Sequence, residues 1–303
     1  MRQDKIMQVD EWYSSGINTE VLGRPVFYRR DGNNKTDNTD HQKNTLVCIH
    51  GFPTASWDFA ELWPTLSERF DVIAHDMLGF GRSDKTRRDI TVKLQADIIE
   101  RLTIDLGISQ AHILAHDLGD TVAQELLARQ YDGSASVQWL SCVFLNGGIF
   151  PEAHRPRKVQ KLLASPLGPL LARLISKRSY RKTMTTIFGP KYPPSDAFIE
   201  GTWQLTVENN GKQMLPVLIR YMQERRENRS RWVAPLENPK IPLKLINGVL
   251  DPVSGGHAAK RFRVVVPNAD ITLLDDAGHY PHVEKPVAVE QAFVEFHDGL
   301  IAE

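Results

Sequence analysis

Residues 113–120, Ile113-Leu114-Ala115-His116-Asp117-Leu118-Gly119-Asp120, leave the backbone few options. An apolar run ends at Ala115, and a helical pattern starts at Leu118 and continues through Val122, Leu126 and Leu127. The pattern predicts a buried strand, a sharp turn at Asp117 and a helix. Ala115 and Gly119 stand two residues to either side of Asp117. Small residues at those places let strand and helix pass closely as the chain doubles back, which is the spacing of a nucleophile elbow.

The nucleophile position holds a carboxylate instead of a hydroxyl or thiol, and that decides the chemistry. A carboxylate titrates near 4 and is ionised at neutral pH without a base to activate it. The following helix N-terminus stabilises the anion further. An ionised carboxylate can displace a leaving group from saturated carbon and form a covalent ester. A base must then activate the water that hydrolyses the ester. Asp117 would equally suit an ordinary helix N-cap, so the catalytic reading needs a base and an oxyanion hole from elsewhere in the chain.

Around the elbow the chain alternates between strands and helices. Leu46–Ile49 is a wholly apolar strand, followed by a helix over about 57–68. Val72–Ala74 is a strand, followed by a helix at about 92–106. Then come the elbow and its helix, and a strand from Val137 to Leu145. Apolar strands separated by helices imply a mostly parallel sheet buried on both faces. Residues 17–31 read as two strands joined near Gly23. The wholly polar residues 32–44 read as a solvated, mobile loop.

The alternation stops near Ile149 and resumes with a strand at 243–248, a helix at 255–264, a strand at 271–274 and a helix at 286–300. The intervening stretch is strand-poor. From Phe150 to Trp232 it carries sixteen Lys/Arg against six Asp/Glu, although the whole chain has 37 of each. We expect a core of residues 1–149 and 236–303 and an inserted helical cap over 150–235. The basic excess would either attract an anionic ligand or form a solvated helical face.

The zero formal net charge gives no global pull toward nucleic acid or a membrane. No apolar run is long enough to span a bilayer. Early charges at Asp4, Lys5, Asp10 and Glu11 do not suit a signal peptide, so a cytoplasmic location is expected. Cys48 and Cys142 fall in apolar runs and read as buried thiols. No Cys/His spacing suggests a metal. Gly79-Phe80-Gly81 starts like a dinucleotide fingerprint but lacks its third glycine, so no cofactor is expected. The expected partner is a small, apolar substrate; a homodimer is allowed, and the sequence does not fix the oligomeric state.

In an open α/β sheet, ligands bind at the carboxyl ends of the strands. His50-Gly51-Phe52-Pro53, Asp117, Asp251 and His279 all fall at such ends. Nucleophile, acid and histidine follow in the chain order of α/β-hydrolases. With these residues the chain resembles the branch of that family that holds epoxide hydrolases and haloalkane dehalogenases, both of which use an Asp nucleophile. Further matching stretches, among them Leu78-Gly79-Phe80-Gly81 and Asn146-Gly147-Gly148-Ile149-Phe150, extend the resemblance over nearly the whole chain.

The resemblance implies an α/β-hydrolase fold and a role for each residue. Asp117 would be the nucleophile and His279 the base for the hydrolytic water. Asp251 would orient His279 and stabilise its charged form. The backbone N–H groups of Phe52 and Leu118 would form the oxyanion hole. Pro53 would shape its loop, following a cis bond as in relatives. His50 is placed by the pocket but reads mainly as a brace for that loop. His282 is expected at the surface. Asp120, a position usually small in relatives, would cap or salt-bridge the first helical turn.

The leaving group separates two enzyme readings. Dehalogenases need donors that hold the departing halide, commonly a Trp after the nucleophile. Here that residue is Leu118, and the loop after Gly51 offers Phe52. Trp203 in the cap is the remaining candidate. Epoxide hydrolases instead use cap tyrosines that hydrogen-bond the epoxide oxygen. Tyr221 resembles one of them, and Tyr180 and Tyr192 are candidates for the other. A third reading is a binding protein on the same scaffold with relict catalytic residues.

Overall fold

The computed structural model describes residues 7–32 and 44–302. The expected mobile loop at 32–44 therefore falls almost wholly outside the described residues.

Eight strands form one sheet: β1 (Ile17–Val21), β2 (Arg24–Asp31), β3 (Thr45–Ile49), β4 (Asp71–His75), β5 (Gln110–His116), β6 (Gln138–Leu145), β7 (Leu243–Gly248) and β8 (Asp270–Leu274). Their order across the sheet is β1-β2-β4-β3-β5-β6-β7-β8. The β1–β2 and β2–β4 pairs are antiparallel, and every other pair is parallel. This is the mostly parallel sheet expected from the alternation, and the α/β-hydrolase fold that the resemblance implies.

β3, β4 and β7 are buried along their whole length, as strands covered on both faces must be. Before β1 runs a short helix that the sequence reading missed, α1 (Val9–Ser14), whose buried Trp12 packs edge-on against Trp63. Helices α2 (Trp63–Arg69), α3 (Val92–Asp105) and α4 (Leu118–Asp132) link the first strands. α12 (Gly256–Val265), α13 (Pro281–Glu284) and α14 (Pro286–Ala302) accompany the last two.

The elements between β6 and β7 are all helices. The chain runs through α5 (Lys158–Leu163), α6 (Gly168–Leu174), α7 (Lys177–Thr185), α8 (Asp196–Val207), α9 (Leu215–Leu218), α10 (Tyr221–Glu227) and α11 (Arg229–Glu237). The last two explain an oddity of α4, which is buried from Leu118 to Ala128 although four of those eleven residues are polar. Thr121 accepts from Arg225 Nε at 3.0 Å, and Gln124 donates to the Ile149 and Trp232 carbonyls. Glu125 accepts from Trp232 Nε1 at 2.6 Å and Arg231 Nε at 2.9 Å. The polar face of α4 is buried because the inserted segment supplies its hydrogen bonds. Arg229 pairs with Glu152 and Arg231 with Asp132, so part of the basic excess is spent on acidic partners.

The glycines of 79–81 serve a structural purpose. Both Gly79 and Gly81 have positive φ, and a Cβ on Gly81 would overlap the Asp76 carboxylate. That carboxylate accepts from Ser56, Tyr13 and the Arg82 N–H. The turn wraps a buried aspartate.

Candidate active site

Asp117 stands between β5 and α4 with φ 50° and ψ −104°, a conformation that costs a non-glycine residue about 1–3 kcal/mol. The neighbours enforce it. A Cβ on Gly119 would overlap the Ile49 carbonyl oxygen, and one on Gly51 would come within 2.8 Å of Asp117 Cβ. The elbow is therefore pressed between β3 and its following loop, and the carboxylate is thrust clear of both strand and helix.

The Phe52 N–H donates to Asp117 Oδ2 at 3.0 Å. Leu118 supplies the first N–H of α4. Phe52-Pro53 is a cis peptide. On the other side, His279 Nε2 stands 3.9 Å from Asp117 Oδ1. His279 Nδ1 donates to Asp251 Oδ2 at 2.8 Å. All three side chains are buried.

Asp251 is held from several directions. The Val253 N–H reaches Oδ1 at 2.7 Å, and the Ser254 hydroxyl reaches Oδ2 at 2.7 Å. Asn146 Nδ2 donates to Oδ2 at 3.1 Å and to the Gly248 carbonyl at 3.0 Å. Asn146 and Ser254 were not singled out from the sequence. The run of Asn146, Gly147 and Gly148 at a strand end was the available signal, and Asn146 takes a positive φ there.

Burial would push His279 down, but the Asp251 charge and hydrogen bond, together with the Asp117 charge, hold it up at about 9. Burial likewise favours a neutral Asp251, yet His279 and the N–H and hydroxyl donors bring it below its ordinary value. For Asp117, burial wins and raises it, against His279, Arg225 and the Phe52 N–H. These directions give a stability prediction. A histidine ordinarily at 6.5 and held at about 9 in the folded protein binds its proton better when folded. Its contribution is complete below 6.5 and lost as pH rises to about 9. The stability advantage of the parent over His279→Gln, measured by urea unfolding, should shrink across that window. A constant difference would refute the assigned coupling.

The neighbouring histidines are structural. Met77 N–H donates to His50 Nε2 at 3.0 Å, so Nδ1 carries the proton and donates to the Gly51 carbonyl. His116 Nε2 donates to the His279 carbonyl at 2.8 Å and ties the two loops together. His282 is fully buried, contrary to expectation, because α13 folds it back against His116 at a ring distance of 4.5 Å. Asp58, His116 and His282 bring an oxygen and two ring nitrogens within 4.8 Å of one another, a spacing that could hold a metal ion. Burial pushes both imidazoles down and the carboxyl up, so each group is shifted toward its neutral form.

A cavity of about 270 Å³ opens beside His279, Phe52 and Pro53. The inserted segment closes it with Leu163, Leu171, Ile175, Tyr180, Met184 and Leu215 among others. Three expected pocket residues lie outside this lining. His50 is turned to Met77. Trp203 packs against Tyr180 with ring centroids 5.4 Å apart. Tyr192 reaches out to Asp276 at 3.3 Å. Tyr180 lines the cavity instead. Tyr221 is buried against Phe52, its hydroxyl without a hydrogen-bond partner among the described residues. Burial, with the Asp117 charge added for Tyr221, keeps both phenols protonated.

Asp120 neither caps α4 nor forms an ion pair among the described residues. Its carboxylate is fully buried and abuts Gly147, where a Cβ would overlap it. Burial and the Asp117 charge push it well above its ordinary value.

The profile of the alpha/beta hydrolase family matches residues 46–292. The chain is similar to the mesoderm-specific transcript homolog protein of Bos taurus, 37% identical over 294 residues, with 94% of this chain and 86% of that protein covered. Among solved structures it is similar to haloalkane dehalogenase DbeA from Bradyrhizobium elkani, at TM-score 0.77 and 20% identity over 95% of this chain and 99% of that one. Epoxide hydrolase CorEH matches at TM-score 0.73 and 18% identity over 94% and 99%.

Proposed function

We propose that this chain, which belongs to the alpha/beta hydrolase family, is a cofactor-independent hydrolase that works through a covalent ester on Asp117 and acts on epoxides. One observation carries the reading: the Asp117 carboxylate receives a backbone N–H on Oδ2 and faces an Asp-paired histidine on Oδ1. That arrangement suits a nucleophile whose ester is later opened by water.

In the first step an Asp117 oxygen attacks a ring carbon. The carbon–oxygen bond of the epoxide breaks, and Tyr221, buried against the cavity residue Phe52, gives the departing oxygen its proton while Tyr180 in the cavity lining hydrogen-bonds it. In the second step His279 takes a proton from water, and the resulting hydroxide attacks the ester carbonyl carbon. The Phe52 and Leu118 N–H groups stabilise the tetrahedral oxyanion. Collapse expels the diol and restores the Asp117 carboxylate, and the proton on His279 returns to the tyrosinate. The sum is epoxide plus water to diol. Esterification removes the Asp117 charge, one of the influences that keep His279 protonated. The imidazole thus becomes a better base at the step that needs one.

The epoxide assignment over the halide one rests on the phenols and on what is missing beside the nucleophile. Phe52 and Leu118 have no side-chain donor, and Trp203 packs outside the cavity lining. We read residues 150–235 as the cap of this enzyme and the remainder as its hydrolase core.

His279→Gln protein incubated with epoxides and, separately, haloalkanes tests the reading by intact mass. Without its base the ester should persist, and an adduct of whole-epoxide mass should map to Asp117. An adduct equal to a haloalkane's alkyl group alone would replace the epoxide reading with a dehalogenase. No adduct from either panel would favour a non-catalytic scaffold.

A further inference from the structure

Residues 153–195 contain ten Lys/Arg and not one Asp/Glu. The same stretch exposes large apolar side chains: Leu162 is 52% exposed, Leu167 62%, Leu170 58% and Leu174 70%. Four open leucines on α5, α6 and the turn between them are a costly feature in water, and contiguous patches of this kind mark interaction sites. Two of the four, Leu162 and Leu174, also line the cavity beside His279. The cavity therefore opens to the outside through the leucine face.

From these features we infer that α5 and α6 form a docking face for an anionic lipid surface, through which an apolar substrate passes from the lipid into the cavity. Leucines flanked by cations are the side-chain set that seats a surface helix at the headgroup boundary. Lys158, Lys161, Arg173 and Arg178 are exposed and have no ion-pair partner among the described residues. By contrast Lys177 and Arg181 are paired with Glu200 and Asp196. The unpaired cations are free to meet lipid phosphates, each adding to the attraction of a negatively charged leaflet. A second copy of the chain is a poor occupant. A two-fold interface would set this patch against itself, cation against cation. No helix among the described residues is long and apolar enough to cross a membrane, so the contact would be peripheral.

The inference rests on the hydrolase reading only for the use of the cavity, and its test needs no turnover. The full chain is sedimented with phosphatidylcholine vesicles, with and without about 30% phosphatidylglycerol. Parent protein should bind the anionic vesicles at least about tenfold better than the neutral ones, and salt should weaken that binding. Replacing all four leucines by Ser should lower the bound fraction about tenfold. Leu167→Ser with Leu170→Ser, which leaves the cavity lining intact, should lower it several-fold. Thermal melts of both variants should match the parent, because these side chains are already exposed. Equal binding to both vesicle types, or a double variant that binds like the parent, overturns the inference. So does a dimer on size exclusion that the leucine substitutions dissociate. Failure of the adduct experiment with intact vesicle binding would remove the hydrolase reading and leave the docking face standing.

Discussion

Asp117→Ala should abolish turnover, with a fall in kcat on the order of 10⁴ or more, the scale seen when a nucleophile acting with its base is removed. Neither Asp120 nor Asp251 can take over. Asp120 abuts Gly147 inside the first turn of α4, and Asp251 is locked by Asn146, Val253 and Ser254. The substitution also removes a strained residue's side chain from a buried site, so the fold should persist and the loss should be chemical. A second readout separates this from general damage. The Asp117 charge is one of the influences raising His279 to about 9. In Asp117→Ala the imidazole should titrate at lower pH by NMR, although Asp251 still holds Nδ1. Retained hydrolysis would remove the nucleophile assignment, and an unmoved His279 titration would show that the two side chains are not coupled.

The largest stability loss should come from Gly119→Ala. Its Cβ would overlap the Ile49 carbonyl and press on that of His50, which are backbone atoms of β3 and its loop. Backbone cannot swing aside as a flexible side chain can, so α4 must slide off β3. We expect about 3 kcal/mol or more of destabilisation, since overpacking that moves backbone stands at the upper end of such effects. The melting temperature should fall by roughly 5 °C or more. Activity should fall too, because the displaced helix carries Asp117. Gly299→Ala is the control: a Cβ there meets nothing within 4 Å. It lies within a helix, where Ala is favoured over Gly by about 1 kcal/mol. Calorimetry on the pair checks the argument, and equal melts would show that close approach at the elbow is not what excludes a side chain.

Much of this protein follows from local chemistry. Apolar strands bounded by helices dictated a parallel sheet, because a strand without a polar face can only be buried on both sides. The elbow was legible because the turn needs small residues at fixed offsets, and the overlaps at Gly51 and Gly119 are the physical form of that need. Asp251 and His279 could be placed because strand ends converge at one edge of such a sheet.

What the sequence could not decide was which side chains from distant segments share a space. Tyr180 and Tyr192 looked alike along the chain, yet α7 turns one into the cavity while the other reaches Asp276. His282 looked like a surface residue until α13 folded it under His116. The polar run of α4 has no meaning until α10 and α11 supply its partners, and the exposed leucines have none until α5 and α6 set them at a cavity mouth. Local sequence determines backbone shape, because sterics and burial act between near neighbours. The partners of a polar or apolar side chain are set only when the whole chain packs, because those partners lie scores of residues away.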